Sequence, residues 1–299
     1  MQTELALIII SILFFISILS GRISSKLGIP ALLLFLSVGM LFGSDGVGIQ
    51  FENIQAAQSI GTIALSIILF SGGLDTKIEE IRPIARQGAV LATAGVFLMA
   101  FFSGILSWWV LDKTLPAMKI SLTTAFLLAS TMSSTDSASV FSILRSKGIN
   151  LKNNLRPTLE LESGSNDPMA YVLVVTLIDL IKMGSTPNYL LVATQLVLQL
   201  IIGAISGYVL GRLAVFVINK VKIHNESLYP ILLFTFCLFI YSVTYFLKGN
   251  GYLAVYISGL VIGNSKFVHK RSSMNFFDGL AWMSQLFMFL TLGLLVNPS

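Results

Sequence analysis

The sequence predicts an all-α membrane protein with many spans, and three observations support this class. Of its 299 residues, 55% are hydrophobic and only 11% are charged, whereas soluble domains hold about 45–50% apolar and about 25% charged residues. The mean hydropathy is +0.85. The apolar runs are about twenty residues long, which suits membrane-crossing helices and not the roughly ten-residue alternating strands of a membrane barrel. This composition excludes an ordinary soluble enzyme, a disordered chain and a nucleic-acid-binding domain.

Ten apolar runs are the candidate membrane spans. The first run carries Glu4 where a signal peptide would have a basic start, so we interpret it as a retained helix. The ten runs lie at about residues 4–20, 27–43, 56–74, 84–111, 120–145, 157–181, 189–219, 227–247, 250–265 and 276–296.

The distribution of lysine and arginine orients these spans. Fourteen of the 19 basic residues fall in the loops that follow odd-numbered spans, four fall in the other loops, and Arg212 lies within the seventh span. Because cytoplasmic loops collect Lys and Arg, we expect the crowded side to be cytoplasmic and the N-terminus to lie outside. The same bias explains the net charge of +5 without a nucleic-acid partner.

The fifth span carries a polar run at 130–139, in which eight of ten residues are Ser, Thr or Asp. Such side chains compete with the backbone for hydrogen bonds and weaken a helix. We predict an interrupted helix whose hydroxyls and freed carbonyls line a polar cavity near the bilayer midplane. The alternative is a continuous helix packed through small residues, but Asp136 would then need a buried partner.

The sixth span places Asp167 close to its middle. Pro168 has no N–H, so the carbonyl of Gly164 loses its helical partner. Ser163 and Asp167 are four residues apart and share a helix face, as do Glu162 and Asn166 on a neighbouring face. The span therefore offers a carboxylate, a hydroxyl and a loosened backbone at membrane depth.

Oxygen ligands of this kind suit hard cations. A carboxylate in a partly dry cavity can hold a proton or a metal ion, but not both comfortably, and such competition is the simplest basis for cation/proton exchange. The alternative is that Asp167 is a neutral or paired structural acid. We favour the functional interpretation, because acids inside membrane spans usually mark ion or proton paths.

The remaining motifs are weaker. Cys237 is the single cysteine, so no internal disulfide is possible. No nucleotide-binding loop is present, and we expect no cofactor and no need for a nucleotide. Gly203, Gly207 and Gly211 are spaced for close helix contact, although this spacing alone is a weak signal of dimerisation.

These residues resemble the signatures of one membrane protein family. The segment 162–168, Glu-Ser-Gly-Ser-Asn-Asp-Pro, resembles the Asn-Asp signature of the cation:proton antiporters, specifically the NhaP-like sodium or potassium/proton exchangers. Residues 134–136, Ser-Thr-Asp, with 140–144 resemble the Thr-Asp segment of the preceding broken helix, and residues 69–75 resemble the third span. The similarity runs along the whole chain and is strong through 30–170.

The resemblance implies a fold of thirteen helices in two inverted repeats, with a mobile ion-carrying core and a static dimerisation domain. Residues 1–182 would form the N-terminal repeat, 189–220 a linking helix, and 226–299 part of the C-terminal repeat. The ten spans match the family's first ten, so we expect a chain that lacks the last three helices. We expect transport from the intact protein and not from residues 1–299 alone.

The resemblance also assigns roles. Asp167 would be the carboxylate that alternates between a proton and Na⁺ or K⁺, while Asp136, Thr135 and Ser163 would complete the oxygen shell of the ion. A signature with Asn-Asp instead of two aspartates implies the electroneutral branch, with one cation exchanged per proton.

Glu162 and Asn166 would be structural supports for the core. We expect an integral protein of the bacterial inner membrane that works in pH and cation homeostasis, contacts lipid, forms a homodimer and is not an enzyme. The sequence does not decide between Na⁺ and K⁺, since one oxygen-lined site can serve either ion.

Two rival functions stay open on the residues alone. A passive cation channel would conduct without moving protons in exchange. A non-transporting membrane scaffold or sensor would tolerate loss of Asp136 and Asp167. The interrupted fifth span beside a midplane carboxylate argues against the scaffold, and the family resemblance argues against the channel.

Overall fold

The computed structural model describes residues 8–19, 31–114, 120–135, 151–152, 155–183 and 189–296. Within these ranges all regular structure is helical, and a helix occupies each of the ten predicted spans, which confirms the all-α class. The helices are α1 (Ile8–Leu19), α2 (Ala31–Phe42), α3 (Ile54–Asp75), α4 (Ile78–Thr114), α5 (Leu122–Thr131), α6 (Leu155–Met183), α7 (Tyr189–Lys220), α8 (Leu228–Phe246), α9 (Gly251–Gly263) and α10 (Lys270–Leu295).

Five of the described helices are long and apolar enough to cross a membrane, namely α3, α4, α7, α8 and α10. Helix α6 has 29 residues, but it carries acids along its length. Four shorter apolar helices are α1, α2, α5 and α9. The structure therefore agrees with a polytopic membrane protein in which polar residues concentrate at α5 and α6.

Helix α4 begins at Ile78, earlier than the predicted residue 84, and it is irregular. Its first turn is followed by a 3₁₀ turn at Arg82–Ile84 and, further on, by a π-helical turn at Leu91–Gly95. Pro83 lies in the 3₁₀ turn, because a proline has no N–H to donate to the α-helical ladder. Helix α10 likewise begins earlier than predicted, so Lys270 and Arg271 lie in its first turn instead of a loop.

The chain forms two compact units, one made of Met1–Ile68 with Asn275–Ser299 and the other of Leu69–Met274. In the first unit, the rings of Phe14 and Phe287 pack edge to face with centroids 4.6 Å apart. The division of the chain into an N-terminal repeat, a linking helix and a partial C-terminal repeat stays a prediction.

Helix α9 is the buried centre of the second unit. Its residues Ala254, Val255 and Ile262 are fully buried, and the helix packs most extensively on α7 and α8. The glycines of α7 make this approach possible, since a Cβ on Gly207 would lie 2.5 Å from the carbonyl oxygen of Ala254. The glycine spacing noted in the seventh span thus brings two helices of the same chain together.

We expect Gly207→Ala to lower the thermal midpoint of the purified protein in detergent, because the new Cβ meets backbone that cannot move aside. Overpacking of this kind costs about 1–3 kcal/mol. The matched control is Gly61→Ala in α3, where a Cβ has no heavy atom within 4 Å; this change should be neutral or slightly stabilising. Equal midpoints for the two variants would contradict the close α7–α9 packing.

Candidate functional site: a polar cluster between the end of α5 and the middle of α6

Helix α5 ends within the polar run, as the interrupted fifth span predicts. The Ser121 side chain caps its start by accepting from the N–H of Thr124 at 3.1 Å. At its end, the hydroxyls of Thr131 and Ser133 donate to carbonyls three residues earlier, at 2.7 and 2.8 Å. These local bonds compete with the helical ladder, and the chain leaves the helix at Met132. The second half of the predicted span lies outside the described residues.

Helix α6 places four of the predicted site residues within two adjacent helical turns. Ser163 and Asn166 are buried, while Glu162 and Asp167 are partly exposed. The side-chain amide of Asn166 donates to Glu162 Oε1 at 2.9 Å, as residues four apart on one helix face can. The helix continues through Pro168 to Met183.

The non-helical segment after α5 reaches Asp167 directly. Ser134 Oγ donates to Asp167 Oδ1, and it also lies 3.1 Å from Asn166 Oδ1. A serine hydroxyl has a single proton, so Ser134 serves one of these two acceptors at a time. Asp167 is therefore held by a hydroxyl that does not belong to its own helix.

Thr135 is the second link between this segment and α6. Asn166 Nδ2 donates to Thr135 Oγ1 at 2.7 Å. The same hydroxyl lies 3.2 Å from Glu162 Oε2 and 3.2 Å from Ser163 Oγ. Both amide hydrogens of Asn166 are thus used, one on Thr135 and one on Glu162, which fits the predicted role of Asn166 and Glu162 as supports.

The structure therefore brings together five of the six predicted site residues, namely Asp167, Thr135, Ser163, Glu162 and Asn166. Asp136 lies outside the described residues. Ser163 Oγ faces Thr135, with 3.4 Å to the Thr135 carbonyl oxygen.

Ser134 was given no role by the sequence analysis, although it belongs to the same polar run. Its position next to Thr135 indicated that it could belong to the site. Outside a helix, however, residue spacing does not determine where a side chain points.

The cluster consists of oxygen atoms and one amide. In the part of the chain that the structure describes, no group of three or more His, Cys, Asp or Glu is placed to hold a metal ion. Transition metals favour such nitrogen, sulfur and multi-carboxylate sites, whereas hydroxyl, carbonyl and single carboxylate oxygens suit hard cations. These oxygens are suited to an alkali cation, and the Asp167 carboxylate is a group that can instead carry a proton.

Glu162→Gln should lower the thermal midpoint, because one acceptor oxygen becomes an NH₂ group. With its NH₂ towards Asn166, the amide loses the bond from Asn166. With its NH₂ towards Thr135, it takes over as donor, and the bond from Asn166 then ends on an amide oxygen, a weaker acceptor than a carboxylate. A lost or weakened bond of this kind costs about 1–3 kcal/mol. The control is Glu80→Gln, which removes an exposed ion pair with Lys77 at 2.9 Å and should change little. An unchanged midpoint for Glu162→Gln would show that the support role is wrong.

Comparisons with known proteins concern the family and the fold of the chain. The family model described as "Sodium/hydrogen exchanger, transmembrane" matches residues 10–299. The chain is 42% identical over 297 residues to the K(+)/H(+) antiporter NhaP of Alkalimonas amylolytica, covering 99% of this chain and 50% of that protein. It is 38% identical over 290 residues to the K(+)/H(+) antiporter NhaP2 of Shewanella sp. (strain MR-4), covering 95% of this chain and 48% of that protein.

The chain thus spans about half the length of the curated relatives it matches. Among solved structures, the sodium proton antiporter MjNhaP1 from Methanocaldococcus jannaschii at pH 8 matches with a TM-score of 0.77 over 100% of this chain and 72% of that one. At 22% identity this likeness concerns the fold, and it confirms the predicted antiporter architecture. Together with the match of the family model to nearly the whole chain, these results show that the chain belongs to the sodium/hydrogen exchanger family.

Proposed function

We propose that the protein exchanges a monovalent cation, Na⁺ or K⁺, for H⁺ across the membrane by alternating access. The observation that carries this proposal is the hydrogen bond from Ser134 to Asp167, made by a segment that has left its helix. An ionisable acid in the middle of a span is energetically costly, so such acids are usually paired or lie on an ion or proton path. One of its partners here is a hydroxyl from outside α6, which can rotate as the carboxylate exchanges a proton for a cation.

The proposed ion shell uses the oxygens around this acid. Asp167 is the group that carries either the proton or the cation. Thr135, Ser163 and Asp136 complete the shell through hydroxyl, carbonyl or carboxylate oxygens, which suit an alkali ion. The 3.4 Å contact between Ser163 Oγ and the Thr135 carbonyl supports this role, because it places two such oxygens side by side.

The exchange is electroneutral in this proposal. The residue before Asp167 is Asn166, a neutral side chain whose amide is already bonded to Thr135 and Glu162. A single carboxylate that gives up its proton when a cation binds moves no net charge.

The cation itself is a matter for experiment. Two relatives are named K(+)/H(+) antiporters, so K⁺ is the first ion to test, and Na⁺ is the second. The ionic radius that the shell accepts depends on its geometry in the loaded state.

The proposal also covers the membrane, the orientation and the oligomeric state of the protein. The concentration of basic residues in one set of loops supports a cytoplasmic location for those loops and an N-terminus outside, in a bacterial inner membrane. We further propose a homodimer surrounded by lipid, working in pH and cation homeostasis without a nucleotide or other cofactor. These features follow from the family resemblance and the charge pattern.

Asp167→Asn should reduce cation-driven proton movement to background in everted membrane vesicles that contain the full-length protein, because an amide can neither carry the proton nor hold the cation. The measurement is proton release from the vesicles on adding K⁺ or Na⁺. The matched control is Asp179→Asn, which makes the same change at an exposed position of the same helix and should leave exchange unchanged.

The outcomes separate the rival functions. Normal exchange by Asp167→Asn would overturn the site assignment. Cation movement without proton release would indicate a passive channel. An absence of any flux in the wild-type protein would favour a membrane scaffold or sensor.

A further inference from the structure

Asn250 links three helices of the second unit near the proposed ion site. It is the N-cap of α9, where its Oδ1 accepts from the N–H of Leu253 at 3.1 Å. Its backbone N–H donates to the carbonyl of Gln199 in α7 at 2.9 Å. Its side-chain Nδ2 donates to the carbonyl of Pro168 in α6 at 2.9 Å. The side chain is 3% exposed, so these bonds are shielded from water.

The position of the Pro168 carbonyl is coupled to that of Asp167. It belongs to the residue directly after Asp167, whereas the carbonyl that Pro168 leaves without its ladder partner is that of Gly164, four residues earlier. A helix loosened in this way can bend or be re-satisfied by groups from neighbouring helices. The amide of Asn250 does not replace the lost bond, but it holds the loosened part of α6 from α9 at the residue next to Asp167.

Two further contacts bind α9 to the same stripe of α6. The rings of Tyr171 and Tyr252 meet edge to face with centroids 4.7 Å apart. A Cβ on Gly164 would lie 2.8 Å from the Tyr256 ring, so the two helices are in close contact there. The stripe of α6 formed by Gly164, Pro168 and Tyr171 therefore faces α9, while the neighbouring face, with Ser163 and Asn166, is bonded to the segment after α5.

We infer that Asn250 is a positioning residue for Asp167: by fixing the Pro168 carbonyl, it sets where the Asp167 carboxylate lies opposite Ser134. This inference rests on the proposed function, since it makes Asp167 the ion-carrying group. Asn250 is neutral and its hydrogen bonds go to backbone groups. It therefore positions α6 and contributes neither a charge nor a proton to the site. Its contribution should appear in cation affinity, because a displaced carboxylate meets the ion in a poorer arrangement of oxygens.

The test separates positioning from helix capping. Asn250→Ser and Asn250→Thr both keep a good N-cap for α9 and add no charge. Both side chains lack the NH₂ donor and are too short to reach the Pro168 carbonyl. Both variants should raise the half-saturating cation concentration about tenfold, the factor that one lost hydrogen bond is worth.

The control is Asn264→Ser at the other end of α9. Asn264 makes the same kinds of bond, with Nδ2 donating to the Thr76 carbonyl at 2.8 Å and Oδ1 accepting from the N–H of Ile78 at 2.8 Å. Its partners are distant in sequence from α6. We expect this variant to lower the thermal midpoint and to keep the wild-type cation affinity.

Affinity is measured as the rise in thermal midpoint of the purified full-length protein with KCl or NaCl, against choline chloride at the same ionic strength. Wild-type affinity in both Asn250 variants would overturn the inference and leave the proposed exchange intact. An equal loss of cation affinity in Asn264→Ser would also overturn the inference, since the effect would then come from a general loosening of α9. A wild-type protein that binds a cation but exchanges no protons would refute the proposed function and not the positioning role. Absence of cation binding by the wild-type protein would refute both.

Discussion

The structure around α5 and α6 depends on the need to satisfy backbone and side-chain polar groups in the middle of membrane spans. Helix α5 ends at Thr131, and α6 contains Pro168. Inside a bilayer there is no water to take the place of the missing helical bonds, so other parts of the protein must supply partners. The hydroxyls of Ser134 and Thr135 supply partners for polar side chains of α6. The same arrangement groups hydroxyl, carbonyl and carboxylate oxygens in one cluster, as the proposed cation site requires.

The surrounding helices keep this cluster in place. Helix α9 is almost wholly buried, and close glycine contacts hold it against α7. Its N-terminal end contacts α6 through the Asn250 amide and through the Tyr171–Tyr252 ring pair. Tightly packed helices thus surround the helix on which Asp167 lies.

Much of this could be predicted from the sequence, for identifiable reasons. Apolar run length and basic-residue bias give the number and order of helices. The four-residue spacing of Glu162 and Asn166, and of Ser163 and Asp167, gives two shared helix faces, because helical geometry is regular. The bond from Ser134 to Asp167 was not predictable, since it depends on the direction of a non-helical segment. Asn250 was missed because its partner Pro168 is 82 residues away, and an Asn at the start of a helix indicates only a cap.

Proton release on cation binding is the measurement that tests the central claim most directly. The purified full-length protein is titrated with K⁺ and Na⁺ in weakly buffered detergent solution, and the released protons and bound cation are counted together. If one carboxylate alternates between the two ions, about one proton leaves per cation bound, and Asp167→Asn releases none. Cation binding without proton release, or undiminished release by Asp167→Asn, would contradict competition at Asp167.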